Sequence, residues 1–210
     1  MFEFHKNRKQ YFDMQVNNAA QFVIPFIEQK ITITPGMQVL EIGCGEGGVL
    51  KAFINKGCLG VGVELDESRL VNAREWLKED IDSNKIQFIS KDIYQVNPAV
   101  EFPSLFDIIV LKDVIEHIHD QKKLMGWMQQ FLKPGGAIYF GFPPWQMPFG
   151  GHQQLCTNSL LSKLPYYHLL PTFLYKFILS TAKQPVADLL EIKETGISIE
   201  KFEKFAQQTN

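Results

Sequence analysis

The sequence predicts an open, doubly wound α/β sheet, mostly parallel, with helices on both faces. Three observations carry that prediction. Short apolar runs alternate with stretches of helical periodicity up to about residue 142. The first run, Val39-Leu-Glu-Ile42, enters a loop with Gly43, Gly45, Gly47 and Gly48, and the loop opens a helical stretch, Val49-Leu-Lys-Ala-Phe-Ile54. The first three runs each deliver a carboxylate at their exit: Glu41, Glu64 and Asp92. In an open parallel sheet, ligands sit beyond the carboxyl ends of the strands. Any one of these acids would ordinarily be read as a cap of the next helix; three at one edge point to a site.

Residues 10–30 read as a helix, because Phe12, Val16, Ala19, Phe22, Val23 and Phe26 recur at three- and four-residue intervals. Thr34-Pro-Gly36 ends it, and the first strand is expected at 38–42. Leu59-Gly-Val-Gly-Val-Glu64 is the second strand, and a helix follows through Leu77 with Asp66 or Ser68 as its cap. Lys85–Ser90 and Phe106–Leu111 are the third and fourth strands. Leu132-Lys-Pro-Gly-Gly136 is a turn before a fifth strand, Ala137–Gly141. Strands separated by helices pair in parallel through right-handed crossovers.

The glycine loop fits two templates. Gly43, Gly45 and Gly48 satisfy G-x-G-x-x-G with Glu64 about 20 residues on, the fingerprint of a dinucleotide site. Gly43, Gly45 and Gly47 preceded by Glu41 satisfy E-x-G-x-G-x-G, the pattern of S-adenosylmethionine sites. A pyrophosphate is repelled by a carboxylate at the loop's entrance, whereas a sulfonium and an amino group are attracted by one. Glu41 therefore favours the methyl donor over NAD.

The 210 residues, 45% of them hydrophobic, suffice for one well-packed domain. A net charge of −2 leaves no electrostatic footprint for nucleic acid, and the cluster Lys6, Arg8, Lys9 reads as a solvated face. Cys44, Cys58 and Cys156 lack the spacing of a zinc site or a disulfide framework. The charged start, Met-Phe-Glu-Phe-His-Lys, is not a secretion signal, and no window is apolar enough for stable membrane insertion. The expected location is cytoplasmic.

The runs VLEIGCGEGG, GVGVELDESRL, FISKDI, FDIIVLKDVIEHIHD and LKPGGAIYFGFPP resemble, in order, the motifs of class I S-adenosylmethionine-dependent methyltransferases. The likeness is strongest to the small-molecule branch that includes ubiquinone-type O-methyltransferases. It spans roughly residues 36–145 and implies a Rossmann-like fold with S-adenosylmethionine as cofactor. Carried over by position, Glu41, Gly43, Cys44, Gly45 and Gly47 fall in the methionine-side loop, Glu64 and Leu65 at the ribose, Asp92 and Ile93 at the adenine, and Lys112 beside the cofactor. The motifs are specific for the cofactor and unspecific for the acceptor.

Methyl transfer requires an acceptor held close, oriented and dry, with a base where the acceptor must lose a proton. Near the fourth strand's exit, Asp113, Glu116 and His117 would share one face if the segment were α-helical. Some ubiquinone-type relatives are similar here, with a carboxylate-x-x-Glu-His set that binds a divalent cation. The preferred reading is that Glu116 and His117 brace the helix, and no metal is assigned. His152, on the glycine turn Pro148-Phe-Gly-Gly-His152, is the first candidate for a catalytic base, followed by Asp113 and His117. The fourth strand lacks the Asn/Asp-Pro-Pro-Tyr loop of enzymes acting on DNA-base amines, and there is no Pro-Cys nucleophile of the cytosine-C5 kind.

The expected organisation is a single methyltransferase domain over 1–210. A helical cover (1–35) precedes the cofactor-binding core (36–145), and a helical lid insertion follows the fifth strand (146–195). The lid's aromatics Trp145, Phe149, Tyr166, Tyr167, His168 and Phe173 would wall a pocket for a small aromatic or apolar acceptor, or serve a core or dimer contact. Ser198–Phe205 reads as a helix, after which the last two strands of the family's sheet have no sequence. Either the chain is shortened or another chain completes the edge, so a homodimer through the lid or the open sheet edge is one expected assembly. Two further readings stand beside methyl transfer to an O or N atom: an NAD-dependent oxidoreductase and a non-catalytic cofactor-binding module.

Overall fold

The computed structural model describes residues 7–209; residues 1–6, with Lys6 of the basic cluster and the start of the expected cover, and residue 210 lie outside the described residues. The chain divides into two compact units: Asn7–Lys112 with Trp127–Gly141, and Asp113–Gly126 with residues 142–209.

The first unit begins with helix α1 (Arg8–Asn18), which widens into a π-helical turn over Ala19–Val23 and continues as α2 (Ile24–Ile27). Ile24 N donates to Ala19 O, five residues back. The cause is Pro25, which has no N–H and whose ring clashes with the carbonyl four residues earlier; one extra residue per turn relieves the clash. The expected helix over 10–30 is therefore present but not regular.

Five parallel strands follow: β1 (Gln38–Ile42), β2 (Leu59–Glu64), β3 (Ile86–Ser90), β4 (Phe106–Lys112) and β5 (Leu132–Gly141), in the order β3-β2-β1-β4-β5. Helix α3 (Gly48–Asn55) joins β1 to β2, and α4 (Glu67–Trp76) with α5 (Lys78–Asp82) joins β2 to β3. Asp66 is the cap of α4, its side chain accepting from Ser68 N. After β3 the chain passes through α6 (Pro98–Glu101) and crosses β1 to lay down β4. The order reverses between β1 and β4, which puts a crevice at their carboxyl ends. On β5 the pairing with β4 jumps from Leu132 to Ala137 while β4 advances from Phe106 to Ile108. Lys133–Gly136 thus bulges out of register, with Gly135 at φ +79°, which is the turn expected there. Among the described residues β5 is an edge strand.

The strands' period of two divides their side chains. Val39 of β1 and Ile108 and Val110 of β4 join Phe12, Val23, Ile24, Leu50 and Phe53 in one core, while Leu40, Ile109 and Leu111 turn to the other side of the sheet and are fully buried. Glu41 shares the first face, and its carboxyl oxygen Oε2 accepts from Leu50 N at 3.0 Å. That amide is one of the first-turn donors of α3, whose cap residue, Gly47, has no side chain to satisfy it.

The second unit contains the first six residues of α7 (Gln121–Met128), three single-turn helices at 153–155, 161–163 and 167–169, and the helices α8 (Thr172–Thr181), α9 (Val186–Thr195) and α10 (Ile199–Thr209). Its core is built from Cys156, Leu161, Tyr167, Tyr175, Leu179, Leu189 and Ile192. Buried Gln121 fastens it from within, its amide donating to Ile115 O and Thr195 O.

Burial of Glu41 generates a pH dependence. Desolvation raises its pKa from 4.5 to about 8, against the opposing Leu50 hydrogen bond and the Lys112 charge. The folded chain keeps this proton while the unfolded chain releases it, so stability falls as pH rises from 4.5 through about 8. Glu41→Gln keeps an acceptor for Leu50 N and removes the titration. Thermal unfolding should show parent and variant matched near pH 5, with the variant about 5 °C or more higher above pH 8. A constant difference across that range counts against a buried, protonated Glu41.

Candidate active site

Gly43, Gly45 and Gly47 adopt φ of +68°, +54° and +79°, a region that L side chains avoid. Their side-chain surroundings differ. A Cβ on Gly47 would stand 2.9 Å from the Phe88 ring, and one on Gly48 2.9 Å from Phe12 O, so these glycines serve packing. A Cβ on Gly45 would meet only the Arg69 side chain, with Nη1 at 3.6 Å in ordinary contact, so this glycine is not required by close packing. Cys44 is buried beneath the loop, and its thiol is pushed well above the ordinary range by desolvation, then by Glu41 and Glu64, so it is no nucleophile.

The loop's amides are largely committed. Gly43 N and Cys44 N donate to Val63 O, Gly47 N to Cys44 O, and Gly45 N to Glu64 Oε2 at 2.9 Å. With Leu50 N on Glu41, five amides of the loop and of the first turn of α3 are engaged within the protein, and a carboxylate stands on that of Gly45. Glu41 departs from its expected role: it is 4% exposed and holds the start of α3, so it presents no open negative charge to a ligand.

Glu64, half-buried at the end of β2, also accepts at Oε1 from Leu65 N and Asp66 N. A carboxylate has about four acceptor positions, so one remains rather than the two a ribose diol needs. A second hydroxyl would have to replace the Gly45 amide. Leu65 beside it is 71% exposed. After β3, Asp92 accepts from Tyr94 N and caps the turn Ile93–Gln95, with Ile93 buried. Lys112 is half-buried at the last position of β4. A cavity of about 500 Å³ in this unit lies at the opposite end of the sheet, lined by Gln38, Leu59, Arg74 and Lys85, and is remote from the strand exits.

One peptide bond beyond Lys112, in the second unit, Asp113 takes φ +57°, and only Ile115–His117 forms a helical turn, of the 3₁₀ kind. The shared α-helical face expected for Asp113, Glu116 and His117 does not form, because a left-handed residue cannot continue a helix. His152, itself at φ +53°, comes to His117 instead, their rings 5.3 Å apart. Glu116 is 3% exposed, with Oε1 at 4.0 Å from His117 Nε2. Glu116, His117 and His152 each bring one ligand atom within 4.8 Å of the others, a set compatible with a divalent cation. Burial lowers the pKa of both histidines, and Asp113 opposes it in each; His117 lowers His152 further. Both rings are neutral and basic near pH 7. The His117–His152 pairing was invisible in the sequence, since no local signal joins residues so far apart.

The expected aromatic walls separate into two groups. Tyr167 and His168 are buried, His168 holding Trp145 O at 2.8 Å and Gln153 Nε2 at 2.7 Å, so they are core residues rather than pocket walls. Lys193 Nζ accompanies them, donating to His168 O and Leu170 O and lying 5.3 Å from the Trp145 ring. Phe149, Tyr166 and Phe173 are exposed.

Comparison with known proteins places this geometry. The chain is 27% identical over 114 residues to a ubiquinone biosynthesis O-methyltransferase of Leptothrix cholodnii, covering 54% of this chain and 47% of the relative. It is 30% identical over 105 residues to the protein of the same name from Thiobacillus denitrificans, covering 50% and 44%. The chain thus matches rather less than half the length of these relatives. Its fold is that of the plantazolicin methyltransferase (TM-score 0.62, 15% identity, 95% of this chain and 64% of the other). It is also that of phosphoethanolamine N-methyltransferase 2 from Haemonchus contortus (0.56, 22%, 89% and 35%). A family model described as a methyltransferase domain matches residues 13–157, and the chain belongs to that family.

Proposed function

We propose that this chain binds S-adenosylmethionine at the exits of β1, β2 and β3 and transfers its methyl group to an O or N atom of a small, aromatic or apolar acceptor. The observation that carries the reading is the glycine loop with the amides of Gly43, Cys44, Gly45 and Gly47 committed and the Glu64 carboxylate on Gly45 N, an arrangement that suits a cationic ligand and repels a pyrophosphate. The hydride-transfer alternative is disfavoured on that ground. Ubiquinone O-methyltransferase relatives and the plantazolicin enzyme's complex with S-adenosylhomocysteine support the same choice.

When bound, the cofactor supplies a methyl group already activated by a sulfonium. Gly45 offers the ligand bare main chain beside the exposed Arg69 side chain, Glu64 accepts from a ribose hydroxyl, and exposed Leu65 with Asp92 receives the adenine. His152, with His117 beside it, removes the acceptor's proton, and Asp113 keeps the pair from losing too much basicity to burial.

Titration calorimetry tests the cofactor. S-adenosylhomocysteine should bind saturably and NAD should not, with Glu64→Ala weakening the affinity about tenfold or more. Binding of NAD alone would overturn the reading. Kinetics with a panel of phenols and amines test the base: His152→Ala should lower kcat by about 10²–10⁴ with S-adenosylhomocysteine affinity unchanged. The acidic limb of the parent's rate profile should fall below pH 6.5, as the lowered pKa values require. Absence of methylated product from any acceptor would instead favour a non-catalytic cofactor-binding module.

A further inference from the structure

The glycine pair before His152 lets its turn pack without a gap. A Cβ on Gly151 would stand 2.3 Å from His168 Cβ, and one on Gly150 2.5 Å from Pro144 O. The main chain therefore lies directly against the buried His168. Pro148 O, at the start of the turn, accepts from Tyr166 N at 2.8 Å and from Gln153 Nε2 at 3.2 Å. Between these anchors, His152 N donates to Phe149 O and His152 O accepts from Leu155 N.

Gln153 Nε2 also meets His168, and the tautomer follows from that ring's other partner. Trp145 O can only accept, so His168 Nε2 carries the proton and Nδ1 is left to accept from Gln153 Nε2 at 2.7 Å. This fixes the amide, since its flipped form would set Oε1 against a lone pair. Gln153 Oε1 is left buried with no hydrogen-bond partner among the described residues. Burial lowers the His168 pKa, against the Trp145 hydrogen bond and with the Lys193 charge, so the ring is neutral near pH 7. Gln153 and His168 are both 0% exposed, and Trp145 N is tied in turn to Ile197 O at 2.8 Å, ahead of α10.

We propose that Gln153 and His168 are positioning residues, a clip that holds the base His152 against His117. The left-handed backbone of His152 persists only where its surroundings over-determine it, and the clip ties the adjoining residue to the core of the second unit. The use of the base rests on the methyl-transfer reading; its placement rests on geometry alone.

NMR of the purified chain with labelled histidine tests the placement. The chain has five histidines, and rings 5.3 Å apart put the protons of His117 and His152 within reach of cross-relaxation. The parent should show that cross-peak, and its absence overturns the proposal at once. Gln153→Met keeps the side chain's length without the amide. It should lose the cross-peak and lower kcat about 10²-fold, with S-adenosylhomocysteine affinity unchanged. Leu189→Ala opens the same core but makes none of these hydrogen bonds, so it should lower the melting temperature and keep both cross-peak and kcat. Should Gln153→Met fail to fold, His168→Gln makes the same test, its amide donating to Trp145 O while offering no acceptor at Nδ1. A cross-peak that survives Gln153→Met, a kcat that does not fall with it, or an equal fall in Leu189→Ala overturns the proposal. If the parent methylates no acceptor, the methyl-transfer reading fails by itself, and the cross-peak alone upholds or overturns the clip.

Discussion

A turn built from Gly43, Gly45 and Gly47 has left-handed backbone at alternate positions and, at those positions, no side chains to hold it. Two glutamate side chains from the strands beneath do the holding. Glu41 reaches from β1 to the first turn of α3, and Glu64 reaches from β2 to the Gly45 amide. Each satisfies a backbone donor that would otherwise be left open at a partly dry strand end, a group that costs about 1–3 kcal/mol when unpaired. Everything downstream in the first unit inherits this. The direction of α3 and the spacing of β1 and β2 at their exits both hang on those contacts.

The two acids show how one residue type yields different roles by environment. Glu41 lies wholly within the core that α3 covers, so water cannot stabilise its charge, and it keeps its proton to about pH 8. Glu64 sits at the rim with three amides converging on it. Only the second can exchange a protein donor for a ligand's hydroxyl without burying an uncompensated charge.

Legibility in the sequence followed the range of the interactions. The strands were readable because a parallel sheet covered on both faces demands continuous apolar runs, and Gly43–Gly48 was readable because backbone geometry is a local matter. The π-helical turn at Ala19–Val23 was signalled only by Pro25, and its consequence depends on how the surrounding turns close. Tyr167, His168, Tyr166 and Phe173 look alike as a sequence; which of them are core and which are surface is decided by Tyr175, Leu189 and Ile192, residues brought in by later helices. The same holds for Glu41, whose type and place were plain while its hydrogen-bond partner was not.

Backbone strain separates the candidate base from its surroundings. Among the described residues, non-glycine positions with positive φ are Asn84, Asp113, His152, Tyr166 and Lys183. Asn84 and Lys183 end α5 and α8 in the usual way, each followed by an amide that bonds five residues back, Lys85 N to Asp80 O and Gln184 N to Leu179 O. Asp113 and His152 close no helix. Holding such residues left-handed costs on the order of 1–3 kcal/mol each unless the surroundings over-determine it. The outcome of the strain at His152 is its approach to His117, and the outcome at Asp113 is a carboxylate whose field reaches both rings. Tyr166 carries the same conformation ahead of the turn Tyr167–Leu169 and joins no such pair, so strain alone does not mark a base. Under the proposed methyl transfer it is the convergence of Asp113 and His152 on the His117 ring that gives these two positions their chemical use.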